Sequence, residues 1–328
     1  MRKIQSSQHK ALQNAKININ DEYYTRYEDI EKELAHYKDY FNNKIVYCNC
    51  DDYRWSEFKN YFYNNFNNLK LKKLICTCYH NLNFNLFDEM EHKVSYKYEY
   101  DGINETITEL QGDGDCRSLE CKDVLKECDI VVTNPPFSIF REYIKMLYDY
   151  DKKFIIIGSN IAYTYKPIFP LYYQNKLFIG WNHLKHFYDK KKGKANRKCM
   201  AYWYTNFEIN KEVPFIELTK KYNPIDYPKY DNFDAINVNS YKDIPCDYYD
   251  LMGVPITIAE KLNKKQFELI GELKDWAYTE KEKGLYSGTP VKTTELDIWK
   301  YKDRIRHRKG CMVKGNHLFI RLLIKRVV

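Results

Sequence analysis

No stretch of this chain approaches the roughly 20 consecutive apolar residues that cross a bilayer. Residues 1–7 are polar, so the sequence predicts neither a membrane span nor an export signal. Cysteines separated by two residues are missing as well. The ten cysteines include two Cys-x-Cys pairs, Cys48/Cys50 and Cys76/Cys78, which is not the usual zinc spacing. Each pair sits at the end of an apolar run, where i and i+2 side chains share one face of a strand. The eight histidines show no metal-ligand pattern either, so no metal is expected. At 328 residues the chain is too long for a small disulfide-stapled scaffold, which leaves a reducing, cytoplasmic compartment as the expectation. Internal repeats and low-complexity blocks are also absent.

What is present describes a globular chain. Hydrophobic residues make up 44% and charged residues 30%, enough for one large α/β domain with or without a smaller module. The net charge of +8 fits a polyanionic partner, because lysines that neutralise phosphates release counterions. A lysine-rich surface kept for solubility would give the same count. Aromatics reach 16%, with 32 tyrosines. Flat rings suit base stacking, although Lys, Asn, Ile and Tyr rise together here as AT-rich coding would produce.

Strand and helix signals alternate across residues 44–160, the pattern of a mostly parallel sheet with helices on its faces. Strands are predicted at 44–48, 71–77, 129–133 and 153–158, with a further one at 93–100 or 106–110. Helices are predicted at 55–66, 118–128 and 139–150. Residues 177–181 and 200–204 read as a hairpin around a basic connection, Lys190-Lys191-Lys192-Gly193-Lys194. The alternation fades beyond Pro214. A boundary near Phe207 divides a catalytic domain, 1–206, from a second module, 207–328, which contains a basic tract at 304–309.

The residues that carry chemistry are Asn134-Pro135-Pro136-Phe137, directly after the apolar run Asp129-Ile130-Val131-Val132-Thr133. An exocyclic adenine amine is a poor nucleophile, because its lone pair is delocalised into the ring. Two acceptors on its N–H groups favour a pyramidal nitrogen. Asn134 offers its side-chain oxygen and Pro135 its main-chain carbonyl. The two prolines hold the turn extended. Phe137 can stack on a base that has left the duplex, which the reaction needs because the stack hides the target atom. A tight strand-to-helix turn with an exposed aromatic would use the same four residues, so the motif gains its meaning from its place at a strand's carboxyl end.

At these residues the sequence resembles the EcoRI-type adenine-specific DNA methyltransferases. The likeness extends to Asp21-Glu22-Tyr23-Tyr24-Thr25, Tyr47-Cys48-Asn49-Cys50-Asp51-Asp52, Gly112-Asp113-Gly114-Asp115-Cys116-Arg117-Ser118, and the continuation Ser138-Ile139-Phe140-Arg141-Glu142. Ile244-Pro245-Cys246-Asp247 and Met252-Gly253-Val254-Pro255-Ile256-Thr257 add a softer match. The resemblance covers about residues 20–270. It implies a doubly wound, mostly parallel, seven-stranded methyltransferase sheet with a C-terminal target-recognition region. It also implies S-adenosylmethionine as donor and a flipped adenine in double-stranded DNA as acceptor. A restriction–modification system, with a cognate endonuclease as partner, is the setting it suggests. The turn after the first strand departs from most methyltransferases, because Cys48–Asp52 contains no glycine.

Under this resemblance Tyr23, Tyr24 and Thr25 hold the amino-acid end of the donor. Cys48, Asn49, Asp51 and Asp52 line it, the aspartates toward its ammonium or ribose hydroxyls. Asp51 or Asp52 would equally serve as a helix cap. Thr77 and Tyr79 stand where relatives place an acidic ribose ligand, and no acid is present. Asp115 is the candidate for the donor's adenine, against Asx-turn chemistry around Gly112 and Gly114. Asn134 borders both substrates. Lys190, Lys191, Lys192, Lys194 and Arg197, with Arg304, Arg306 and Arg308, are candidate DNA contacts, arginine being able to read guanine edges bidentately. An RNA adenine or a protein glutamine could use the same turn, and a silent methyltransferase-like nucleic-acid binder is the reading from outside the enzymes. Phe137 and the basic C-terminal module favour DNA over glutamine, and the intact Asn134–Phe137 argues against the silent binder.

Overall fold

A computed structural model of the chain describes residues 25–79, 94–165, 167–189, 194–231, 233–273, 312–318 and 321–328. These divide into two compact units, one within Met1–Ala162 and Leu177–Ile209, the other within Tyr163–Lys176 and Asn210–Val328.

The first unit is built on one sheet. Its strands are β1 (Ile45–Cys48), β2 (Lys73–Thr77), β3 (Tyr96–Tyr100), β4 (Glu105–Glu109), β5 (Ile130–Thr133), β6 (Lys153–Ser159), β7 (Phe178–Asp189) and β8 (Lys194–Thr205). Their spatial order is β4-β3-β2-β1-β5-β6-β8-β7. The centre, β2-β1-β5-β6, is parallel, and its strands are short continuous runs of buried residues, as expected when both faces are covered. The outer pairs are antiparallel on both sides.

One expectation is corrected here. Among the described residues the sheet has eight strands rather than seven. The reason lies at residues 101–104. Gly102 takes φ +96°, and the Asp101 carboxylate accepts from the main-chain N–H groups of Ile103 and Asn104. This Asp-Gly turn folds residues 96–109 into a hairpin, so both candidate segments for the third strand are strands. All five residues of β4 are exposed at the sheet's edge.

Among the described residues the unit also holds helices α1 (Tyr27–Leu34), α2 (Glu57–Asn64), α3 (Leu119–Glu127) and α4 (Phe140–Asp149). Ser56 caps α2 by accepting from the N–H groups of Phe58 and Lys59, so the cap falls on neither aspartate of the preceding loop. Ser118 caps α3 through Cys121 N–H. The core gathers Phe41, Phe58, Tyr61, Phe62, Val132, Ile155, Ile157 and Trp203. Each such side chain contributes about 1.5–3 kcal/mol on burial. Cys48 and Cys76 are cross-strand neighbours inside it.

A buried carboxylate ties α1 to edge strand β7. Glu33, 0% exposed, accepts from the main-chain N–H groups of Trp181 (2.9 Å) and Asn182 (2.8 Å), from Asn182 Nδ2 (2.9 Å) and from the Tyr37 hydroxyl (3.1 Å). The N–H groups come from an irregularity in the β7–β8 pairing between Ile179 and His183. Gly180 is required beside it, since a Cβ there would stand 2.3 Å from Glu33 Oε1.

In the second unit, β9 (Ile236–Asn237), β10 (Met252–Pro255), β11 (Phe267–Leu273) and β14 (Arg321–Arg326) form a sheet in the order β11-β14-β10-β9. A short pair, β12 (Met312–Val313) and β13 (Asn316–His317), lies apart from it in the hydrogen-bond pattern. Tyr230, Phe233, Leu251, Ile270 and Leu323 form its core. Residues 163–176 carry a short helix, α5 (Phe169–Tyr173). They join this unit through the Tyr163 hydroxyl on Ile256 O and the Tyr172 hydroxyl on Ala259 O.

Candidate active site

The chain runs from β1 outward to β2 and later returns to β5 on the opposite side of β1. The carboxyl ends of β1 and β5 therefore stand side by side where the winding reverses, the usual ligand crevice of such sheets. One rim is the loop Asn49-Cys50-Asp51-Asp52 after β1. The other is Asn134-Pro135-Pro136-Phe137 after β5.

Asp51 joins these rims. Its carboxylate accepts from Ser56 Oγ at 2.8 Å and from Thr133 Oγ1 at 2.5 Å, while its N–H donates to Thr77 O. One side chain thereby connects β5 and the start of α2 to the β1 loop. Asp52 is held by Arg54 Nε and Nη2, and the Arg54 guanidinium lies over the Trp55 ring at 5.5 Å. Asp51, Asp52, Tyr53, Arg54, Cys78 and Tyr96 line a shallow depression at this place.

A third segment, Gly112–Ser118, closes on the end of β2. Gly114 takes φ +73°, and a Cβ on it would lie 2.1 Å from the Cys78 carbonyl oxygen. Only glycine allows that approach. Asp115 N–H donates to Asp113 Oδ1, the Asx-turn chemistry that competed with a ligand role in the sequence. The Asp115 carboxylate is taken up by Arg117, whose hydrogen bonds hold its pKa below the usual carboxylate value. Arg117 also reaches Glu142 on α4 at 3.2 Å.

In the turn after β5, Asn134 is half-buried, Pro135 buried and Pro136 exposed. Pro136 (φ −56°, ψ 128°) begins a 3-10 turn, Phe137–Ile139, closed by Ile139 N–H on Pro136 O. Phe137 is half-buried against the core of the unit. α4 then starts at Phe140 and brings Tyr143, wholly buried, to donate its hydroxyl to Asn49 Oδ1.

Several buried polar atoms find no partner among the described residues, including Thr25 Oγ1, Asn49 Nδ2 and Ser95 Oγ. Such atoms are uncommon in a folded protein and suit a polar ligand. Two other candidate positions are spent internally. The Thr77 hydroxyl pairs with Tyr47 at 2.8 Å and is 1% exposed, and the Cys48 side chain lies wholly in the core. Tyr79 is exposed. Tyr23, Tyr24, Lys190, Lys191, Lys192, Arg304, Arg306 and Arg308 lie outside the described residues. Lys194 and Arg197 belong to β8, opposite Asp189 and Phe187 of β7. Sequence reasoning missed Ser56, Arg117 and Tyr143. The cap position of Ser56 before an aromatic stripe was its only available signal, and Tyr143 had none.

The family described as adenine-specific methyltransferase EcoRI matches residues 11–327, nearly the whole chain. The chain belongs to this family. Among relatives of the EcoRI methylase family, Type II methyltransferase M.EcoRI of Escherichia coli is 44% identical over 293 residues, 80% of this chain and 88% of its own. Type II methyltransferase M.MgeORF184P of Mycoplasma genitalium is 36% identical over 95% of this chain and 97% of its own. M.MpnI of Mycoplasma pneumoniae is 34% identical over 95% and 96%. No solved structure matches with significance. Among the described residues no helix is long and apolar enough to cross a membrane, and no three His, Cys, Asp or Glu side chains form a metal-binding group.

Proposed function

We propose that this protein is a cytoplasmic, site-specific methyltransferase acting on the N6 amine of an adenine extruded from double-stranded DNA, as the modifying member of a restriction–modification system. The observation that carries the reading is Asn134–Phe137 at the carboxyl end of β5, beside the β1 loop, in a chain of the adenine-specific EcoRI family. S-adenosylmethionine, when bound, supplies an electrophilic methyl group. Buried Asn49 and Thr25, each with an unpartnered polar atom, and the glycine-dependent closure at Gly114 are the features that fit it.

The chain's own residues do the rest. Asn134 Oδ1 and Pro135 O accept the two N–H groups of the adenine amine and raise its lone pair out of the ring plane. The proline-fixed turn keeps both acceptors in position before the base arrives. Phe137 covers the face of the extruded base. The Thr133–Asp51 bond fixes the spacing between the rim that holds the amine and the rim that holds the donor. Residues 1–206 are assigned to catalysis and 207–328 to target recognition. The basic residues at 190–197 and 304–308 are assigned to DNA contact.

Methyl transfer from labelled S-adenosylmethionine tests this reading. The substrates are AT-rich duplex DNA, the same DNA already carrying N6-methyladenine, RNA and bulk protein. Label recovered as N6-methyladenine in unmodified DNA alone is the expected result. Label in RNA or protein would discard the acceptor and keep the turn, and label nowhere would discard the activity.

A further inference from the structure

The β1 loop is bonded to both flanks of the Asn134–Phe137 turn: besides Thr133–Asp51 from the strand before it, there is a second bond from the helix after it. The Tyr143 hydroxyl on α4 meets Asn49 Oδ1, two residues separated by 94 positions in sequence. Both are buried, Tyr143 at 0% and Asn49 at 1% exposure. The Cys50 thiol adds a longer contact to the same oxygen, at 3.8 Å. The oxygen half of the Asn49 carboxamide is thus used within the chain, while its nitrogen, equally buried, has no partner among the described residues. A buried amide nitrogen with two unmatched N–H groups calls for an acceptor from outside the chain. Asn49 stands one residue beyond the carboxyl end of β1, on the rim where the donor is assigned.

We infer that Tyr143 is a positioning residue for the donor site: by donating to Asn49 Oδ1 it fixes the carboxamide so that Nδ2 is presented to an acceptor oxygen of S-adenosylmethionine. The inference rests on the donor proposed above. A tyrosine suits the task because its deep burial pushes the phenol well above its ordinary pKa, so the proton stays available to donate. It is also the right element to use. α4 grows directly out of the turn that binds the adenine amine, so the helix that follows the acceptor site sets the orientation of a donor-binding amide.

Isothermal titration with S-adenosylhomocysteine, which cannot react, tests this on the full chain. Wild type, Tyr143→Phe, Asn49→Ala and the double variant are compared, with melting curves on each. Each single change is expected to weaken binding about tenfold, the size of one hydrogen bond. The double variant should bind no worse than Asn49→Ala alone, because Tyr143 acts only through Asn49. In methyl transfer, KM for the donor should rise by more than kcat falls. Should Tyr143→Phe fail to fold, Asn49→Ala keeps the inference falsifiable, because it removes the donor nitrogen without burying a charge and should still bind the ligand about tenfold more weakly than wild type. Wild-type affinity in Tyr143→Phe or Asn49→Ala, or losses that multiply in the double variant, would overturn the inference. Absence of binding by wild type itself would instead overturn the donor assignment on which it rests.

Discussion

Replacing Glu33 by alanine removes the acceptor shared by four donors at 2.8–3.1 Å. Two opposing effects decide the outcome. Burial raises the pKa of this carboxyl and is the largest influence on it, so its removal relieves a desolvation cost. Against that, the main-chain N–H groups of Trp181 and Asn182 lose this acceptor at an irregular stretch of β7, and each such loss costs about 1–3 kcal/mol. The side chains of Tyr37 and Asn182 lose partners too, although Asn182 can turn to water. The donors outnumber the single charge, so we expect a net loss of about 3 kcal/mol, or roughly 6–12 °C in Tm for a unit of this size. Glu33→Gln should fall between, because it turns an amide nitrogen toward one pair of donors. Differential scanning calorimetry reads both. A Tm for Glu33→Ala within about 2 °C of wild type would refute the claim that this carboxylate fastens α1 to the sheet.

Asn134→Ala should cut methyl transfer about 100-fold or more while DNA affinity, read by gel shift, stays near wild type; normal turnover would remove Asn134 from the reaction. Gly114→Ala adds a left-handed strain of about 1–2 kcal/mol to a collision with the Cys78 carbonyl. It should lower both Tm and S-adenosylhomocysteine affinity, and unchanged affinity would separate this closure from the donor site. Asp115 is held below the ordinary carboxylate pKa by Arg117. Its stabilising contribution is therefore full above that ordinary value and is lost as pH falls through the lowered one. Arg117→Met should shrink the drop in Tm between pH 5 and pH 3 (about the range in which carboxylates titrate), and an unchanged drop would mean the pair does not matter to acid stability.

The parallel centre of the sheet was legible because its strands are short apolar runs with turn signals after them, and because Asn134–Phe137 follows one of them directly. The edges were not. β7 and β8 run well past the apolar residues 177–181 and 200–204, since pairing along a hairpin carries polar residues such as Asn182 and His183 into the strands. The Asp-Gly turn at 101–102 was in plain view, but two weak strand signals were treated as alternatives when they were partners. In the site, the loops were found and the bonds between them were not. Asp51 with Thr133 and Asn49 with Tyr143 lie 82 and 94 residues apart, and nothing local marks one as the partner of the other. Asp115 shows the converse, a residue whose local alternative, an Asx turn with a neighbouring arginine, is what its carboxylate and N–H are engaged in.

The hairpin at the far edge of the sheet has a consequence for encounter with a polyanion. β4 begins and ends in glutamate, and Asp101 stands in the turn beside it, all exposed. A chain carrying eight excess positive charges thus keeps one sheet edge acidic. Carboxylates on that edge repel a polyanion that comes near them. The same two glutamates oppose a second copy of the strand aligning alongside it, which keeps an otherwise open row of main-chain donors and acceptors from recruiting its own kind.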